Sequence, residues 1–383
     1  MELSPADSAE IASSAYTLRD STDMRRMAAA APLTRHAFRL LDATRLTGTT
    51  GLGAPLNRTT GFGYVAWGEG ARQGECLVSI RGTFMPSACD WMTNARLGGV
   101  NGPSGFCVHS GFWAAAQTIL PQVRSALRGR NVSTIHLVGH SLGGAIATLL
   151  ADSLGDTGCR LILYTFGAPR AGVGQHAEYL TNKLGTNNIF RVYHDTDLVP
   201  MVPVYPYCHA PYGSRAYAMK GPGKVISAAA HSMTTYAHSV GSLGWIGLPI
   251  REASLGSLEA AQVWLAAAAD VSGPSIMLSA TALRMILSSL DWILKQIGHG
   301  VGLALLGGAT IVDRLAHLLY SGALQSIKLA GMIRQLMSAA MRFMGRTITA
   351  TMNITVAFVQ YVFDLLFRVI SRLALRAAEL MVR

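Results

Sequence analysis

Thr134-Ile135-His136-Leu137-Val138-Gly139-His140-Ser141-Leu142-Gly143-Gly144-Ala145-Ile146-Ala147 begins as an apolar, β-rich run. It turns sharply at Gly139-His140-Ser141-Leu142-Gly143 and continues with helical spacing from Gly144 to Leu154. A strand, a tight Gly-x-Ser-x-Gly turn and a helix are the context of a nucleophile elbow. A Cβ two residues to either side of the serine would crowd such a turn, which is why glycine occupies both places. The turn lifts the Ser141 hydroxyl clear of the sheet. It also leaves the amides of Leu142 and Gly143 at a helix N-terminus, where the dipole favours a developing oxyanion.

Working outward, Phe62 to Trp67 and Glu75 to Ile80 are short β-type runs set as a hairpin. Ala9 to Leu18 and His36 to Ala43 are read as helices, and Thr47 to Thr60 as a Gly/Thr-rich connection. His109 to Leu127 has helical periodicity, with Pro121 as a kink or a break. Leu161 to Phe166 and Asn188 to Tyr193 are buried strands, separated by an amphipathic helix from Gln175 to Leu184. Strands alternating with helices predict an α/β fold, a mostly parallel sheet with helices on both faces. Residues 198–225 are Pro/Tyr-rich and are read as loops. Helices are expected at Ala228 to Leu243 and Glu252 to Ala269. A boundary at Asp270 to Pro274 divides a first unit, 1–270, from an all-helical, apolar and basic region, 275–383.

A serine needs a base to take its proton and an acid to orient that base. In α/β-hydrolase order the acid follows the serine and the base follows the acid. Asp197 stands directly after the strand ending at Tyr193, with Asp195 as its competitor. Leu198-Val199-Pro200 should pin the backbone beside Asp197. His231 and His238 are the candidate bases, and His209 follows Asp197 too closely. Arg81-Gly82-Thr83 ends a β-type run where a second oxyanion donor is expected, so Thr83 joins Leu142 as a candidate. The apolar loop at 84–92 reads as a flap over the site. His109 reads as a helix-start residue.

The chain has 383 residues, is 50% hydrophobic and 14% charged, and has a formal net charge of +11. From Pro274 onward it carries eleven Lys and Arg against four Asp and Glu, so most of the excess lies there. A basic, apolar segment points to an anionic lipid surface before nucleic acid, since aromatics do not interleave with its basic residues. Arg368, Arg372 and Arg376 recur every four residues as one stripe. The runs Gln296 to Val312 and Thr347 to Phe363 lack charge but fall short of the roughly 20 residues of a spanning helix. The region is therefore expected either to lie on a membrane or to close into a bundle. The five cysteines (Cys76, Cys89, Cys107, Cys159 and Cys208) lack metal-type spacing and read as mostly reduced. The polar start of the chain reads as lacking a signal peptide, with a cytoplasmic location or a signal-peptide-independent export as the expectation.

As a set, these residues resemble the class 3 lipase family of α/β-hydrolases, typified by fungal triacylglycerol lipases. Five blocks match in order. They are Arg81-Gly82-Thr83 with Asp90-Trp91; Val108 to Phe112; Gly139 to Ala145; Tyr164 to Arg170; and Arg191 to His194 running on to Asp197-Leu198-Val199-Pro200. The resemblance spans roughly residues 60–245. It implies Ser141 as nucleophile, Asp197 as acid, His231 as base in a His-x-x-x-x-Tyr segment, and Thr83 with Leu142 as oxyanion hole. It also implies hydrolysis of lipid or phospholipid acyl esters without a metal or organic cofactor. The basic C-terminal region departs from the family's plan. In general plan it resembles lipase toxins of bacteria delivered into rival cells, which would imply an immunity protein or chaperone as partner. The competing reading is a membrane-perturbing helical protein with a vestigial hydrolase unit.

Overall fold

The computed structural model describes residues 1–18, 35–40, 45–50, 58–82, 99–203, 206–213, 215–252, 258–297, 311–347 and 353–380. The chain opens with helix α1, Pro5–Ser14, capped by the Ser4 hydroxyl on the Asp7 amide. Strands β1 (Phe38–Arg39), β2 (Arg45–Thr50), β3 (Arg58–Gly68) and β4 (Glu75–Ile80) follow. The short strands β5 (Gly99–Asn101) and β6 (Cys107–His109) lead into helix α2, Ser110–Leu127. Next come β7 (Thr134–His140), helix α3 (Leu142–Ser153), β8 (Arg160–Phe166), β9 (Gly172–Val173) and helix α4 (Gly174–Leu184). Beyond them lie β10 (Ile189–His194), β11 (Tyr207–Cys208), β12 (Arg215–Met219), helix α5 (Met233–Val240) and β13 (Ile250–Glu252).

Among the described residues the main sheet has nine strands, in the order β1-β3-β4-β7-β8-β10-β12-β13, with β2 also paired to β3. Strands β4, β7, β8, β10 and β12 run parallel. The hairpin of β3 and β4 and the terminal β13 are antiparallel. The central strand β7 is buried at every position, which is why it reads as a continuous apolar run without alternation. Helices α2 and α3 cover one face through Phe112, Ile119, Ile146 and Leu150. Helices α1 and α5 cover the other, where Tyr164, Phe190 and Trp245 pack together and the Trp245 indole donates to the Leu3 carbonyl.

Three stretches differ from the sequence expectation. His36 to Ala43 is not a helix where it is described: Ala37 has φ of 57°, and Phe38–Arg39 pairs antiparallel with Gly68 and Trp67. Within 198–225, Arg215–Met219 is a strand, held parallel to β10 through Val192, Tyr193 and His194. Part of the expected connection at 47–60 also proves to be β2 and the start of β3. Pro121 lies inside α2, which continues as one helix through it.

Among the described residues, five helices follow: α6 (Leu258–Ala269), α7 (Ala280–Ile297), α8 (Ile311–Gln325), α9 (Ile327–Phe343) and α10 (Val356–Leu380). They close around a common apolar core that includes Leu290, Leu319, Leu336, Phe363 and Leu366. Burying side chains of this size contributes roughly 1.5–3 kcal/mol each. Arg368 and Arg372 stay exposed on the outer face of α10, so its inner, apolar face serves the bundle. The same core takes in Leu198, Met201 and Val202, directly after Asp197. Arg284 of α7 donates to the Asp195 carbonyl, the Ile226 amide donates to the Leu278 carbonyl, and α10 lies beside the turn that carries His231. Among the described residues no helix is long and apolar enough to cross a membrane.

Candidate active site

Ser141 sits between β7 and α3 with φ of 56° and ψ of −132°, a backbone that side-chain-bearing residues rarely adopt. The crossing is tight. A Cβ on Gly143 would stand 2.2 Å from the Ile80 carbonyl oxygen, and one on Gly139 would stand 2.3 Å from that of Gly143. The Ser141 amide donates to the Phe166 carbonyl at 2.9 Å, which ties the turn to the neighbouring strand.

Ser141 Oγ lies 2.8 Å from His231 Nε2, and His231 Nδ1 lies 2.8 Å from Asp197 Oδ2. All three side chains are buried, with Ser141 at 6% exposure the most accessible. A carboxylate only accepts, so Nδ1 of His231 carries the proton and Nε2 is left to accept from the Ser141 hydroxyl. Asp197 is itself fixed. Its Oδ2 accepts from the Tyr236 hydroxyl at 2.7 Å and its Oδ1 from the Val199 amide at 2.9 Å. The competitor Asp195 turns away, accepting from the Gly221 amide through Oδ1 at 2.8 Å. His238 lies on the exposed side of α5, and His209 faces the Pro200 carbonyl at 2.7 Å.

The first described edge of the oxyanion region is Arg81-Gly82. Arg81 is buried and donates to the carbonyls of Gly61 and Gly82, and a Cβ on Gly82 would stand 2.9 Å from that of Ser141. Leu142 is the first residue of α3, a position whose N–H has no acceptor within the helix. Thr83, the loop at 84–92 and Cys89 lie outside the described residues. His109 caps α2 through Nδ1, at 3.4 Å from the Phe112 amide, as its place at a helix start suggests.

Four contributors carried no sequence signal of their own. Tyr16 accepts from the Gly82 amide at 3.0 Å, so its hydroxyl proton goes to His140 Nδ1 at 2.6 Å. His140 Nε2 then donates to the carbonyl of His231 at 2.8 Å. On the far side His194 Nδ1 donates to the Ala230 carbonyl at 2.6 Å. Two consecutive carbonyls of the His231 turn are thus held by two buried imidazoles. Burial, and then the nearby His231, keeps the His140 pKa well below its ordinary value, and burial also lowers that of His194. Burial thus disfavours the charged form of both imidazoles that hold the His231 turn. The fourth is Gly167, with φ of 55°, where a Cβ would stand 2.9 Å from both Asp197 Oδ2 and the Tyr236 hydroxyl. Tyr236 is the tyrosine of the His-x-x-x-x-Tyr segment. Burial and then Asp197 raise its pKa well above the ordinary phenol value, so it remains a donor.

The arrangement can deprotonate an alcohol, hold the resulting imidazolium, and offer a helix-start amide to an oxyanion. Among the described residues no cluster of three metal-ligating side chains occurs. Cys76, Cys107, Cys159 and Cys208 are free thiols.

The family described as Lipase (class 3) matches residues 77–206. A secreted mono- and diacylglycerol lipase 1 of Fusarium solani is 32% identical over 166 residues, covering 41% of this chain and 48% of that protein. Toxin TseL of Vibrio cholerae is 34% identical over 101 residues, covering 26% of this chain and 15% of that protein. The chain thus spans less than half the length of these relatives. The solved mono- and diacylglycerol lipase of Aspergillus oryzae overlaps 60% of this chain and 83% of its own, at 22% identity and a TM-score of 0.42.

Proposed function

Because residues 77–206 belong to the class 3 lipase family, we propose that the chain is a serine ester hydrolase acting on acyl esters of lipids. The observation that carries this reading is the hydrogen-bonded line from Ser141 through His231 to Asp197 at a strained turn. Ser141 Oγ attacks the ester carbonyl while its proton passes to His231 Nε2. The oxyanion is received by the Leu142 amide, with Thr83 as the second donor. The proton then goes from His231 to the departing alcohol, leaving an acyl-enzyme. Water, deprotonated by His231, attacks the acyl carbon and releases the fatty acid. Asp197 and Tyr236 keep His231 oriented throughout.

A finer reading makes phospholipid of a rival bacterium's membrane the substrate and an immunity protein of the producer the partner. The likeness of one segment to Toxin TseL supports it, as does the basic C-terminal region. The membrane would be met by the bundle end where Leu324 and Ile327 are exposed next to Lys328. The competing reading, helices that perturb membranes by themselves, has less support, because their apolar faces pack against each other and against Leu198 and Met201. A fluorophosphonate probe tests the central assignment. One adduct, on Ser141 and diminished in His231→Ala, is expected; an adduct on another residue counts against it. For the finer reading, targeting to the periplasm of a bacterial host should be toxic with Ser141 and harmless with Ser141→Ala.

A further inference from the structure

Asp197 and His231 stand on turns that follow β10 and β12. A reacting side chain on a turn is only as well placed as the backbone beneath it. Part of that backbone is held by the C-terminal helices. Arg284, half-buried on α7, donates through Nη1 to the Asp195 carbonyl, and its Nη2 lies 3.3 Å from the Thr281 hydroxyl oxygen. Asp195 is two residues before the acid. Directly after the acid, Leu198, Met201 and Val202 enter the apolar core that also holds Leu283 and Ile286 of α7. The helices thus grip the turn of Asp197 on both sides of the carboxylate.

The loop of the base is reached by a second route. Leu278, just before α7, donates its amide to the Phe343 carbonyl at the end of α9, at 3.0 Å. Its carbonyl accepts from the Ile226 amide at 3.2 Å, and Val225 forms an antiparallel bridge with Ser279. The next amide, that of Ser227, donates to the Thr196 carbonyl at 3.1 Å, while the Ser227 carbonyl accepts from the Ala230 amide at 3.2 Å. These backbone bonds run from α9 through Leu278 to the loop of His231 and on to the turn of Asp197. Leu278 has φ of 51°, a conformation that a leucine keeps only where its surroundings over-determine it. Here both its backbone groups are bonded and its side chain packs on the bundle core. Helix α10 lies against the turn Ala229–His231 itself.

We infer that the C-terminal helices are part of the catalytic unit, with Arg284 as a positioning residue for the turn of Asp197 and Leu278 as the link between the bundle and the loop of His231. This role presupposes that Ser141, His231 and Asp197 form the working triad. The test uses the full chain and two readouts. One is kcat and KM on a soluble short-chain ester. The other is amide hydrogen exchange of residues 194–202, read by mass spectrometry, which needs no activity. Arg284→Met keeps the reach of the side chain and removes its donors. It should lower kcat by about 10-fold at a KM within about twofold, as for a reacting group displaced by about half an ångström. Exchange in 194–202 should quicken by about tenfold. Arg284→Lys, which keeps a cationic donor, should recover most of kcat. Ser326→Ala is the control, since the Ser326 hydroxyl caps α9 at the end far from Phe343, accepting from the Lys328 and Leu329 amides at 3.2 and 3.4 Å. It should lower the unfolding midpoint but leave kcat and exchange at 194–202 unchanged. Full kcat with unchanged exchange in Arg284→Met overturns the positioning role, as does a loss of kcat that Ser326→Ala reproduces. An unsubstituted chain without Ser141-dependent hydrolysis would instead overturn the triad, and the grip on 194–202 would then be decided by exchange alone.

Discussion

Gly167→Ala perturbs the site without replacing the nucleophile, the base or the acid. The new methyl would stand 2.9 Å from Asp197 Oδ2 and from the Tyr236 hydroxyl, where ordinary contacts begin near 3.4 Å. The carboxylate must retreat by several tenths of an ångström, in a part of the chain pinned by Val199 and packed against Leu198. Its bonds to His231 and Tyr236 are 2.8 and 2.7 Å, so both lengthen. Placing alanine at φ of 55° adds about 1–2 kcal/mol of strain. A displacement of about 1 Å in a catalytic group costs on the order of 100-fold. A shift of half that size should therefore lower kcat by roughly 10-fold, and the melting temperature should fall as well. The assay is kcat on a soluble short-chain ester, together with thermal unfolding. Gly174→Ala is the control, because a Cβ there meets nothing closer than 3.6 Å. Full kcat in Gly167→Ala, with unchanged melting, would refute the role given to the Asp197–Tyr236 contact.

Other expectations concern separate parts of the molecule. Tyr236→Phe removes one donor to Asp197 and should lower kcat by about 10- to 100-fold, in line with the roughly 1.5–3 kcal/mol of a hydrogen bond to a charged group, while leaving the fold intact by circular dichroism. Burial alone would raise the Glu75 pKa, but hydrogen bonds from His136, the Met1 amino group and Arg72 outweigh it and bring it down from 4.5 to about 2. Glu75 then stabilises the fold fully above its unfolded value, and this contribution is lost as pH falls toward 2. Glu75→Gln should flatten the fall in urea-unfolding stability across that window. Phe363→Ala, at a fully buried bundle position, should cost about 3–5 kcal/mol, read as a lower unfolding midpoint.

The elbow was legible because its chemistry is local: a continuous apolar strand, glycines where backbones cross, and a helix that starts on the next residue. The fixed backbone beside Asp197 was legible for a similar reason, since Leu198-Val199-Pro200 follows it and the Val199 amide does hold its Oδ1. The supports were not. Tyr16 reaches His140 from 124 residues away, and nothing in either neighbourhood marks the pair. Gly167 looks like any strand-ending glycine until Asp197 and Tyr236 are brought against it. The strand Arg215–Met219 hides in a Pro/Tyr-rich stretch, since it gains its structure from pairing with β10 and β13. The C-terminal helices show amphipathic periodicity, but periodicity cannot say whether an apolar face meets lipid or other helices. The buried positions of Phe363, Leu366 and Ile370 answer that in favour of helices.

The central claim is a serine nucleophile acting on lipid esters. It is tested most directly by fatty-acid release from mixed phospholipid and triacylglycerol vesicles, comparing the intact chain with Ser141→Ala. The account predicts release by the intact chain that disappears with Ser141→Ala. Equal release by both proteins would contradict it.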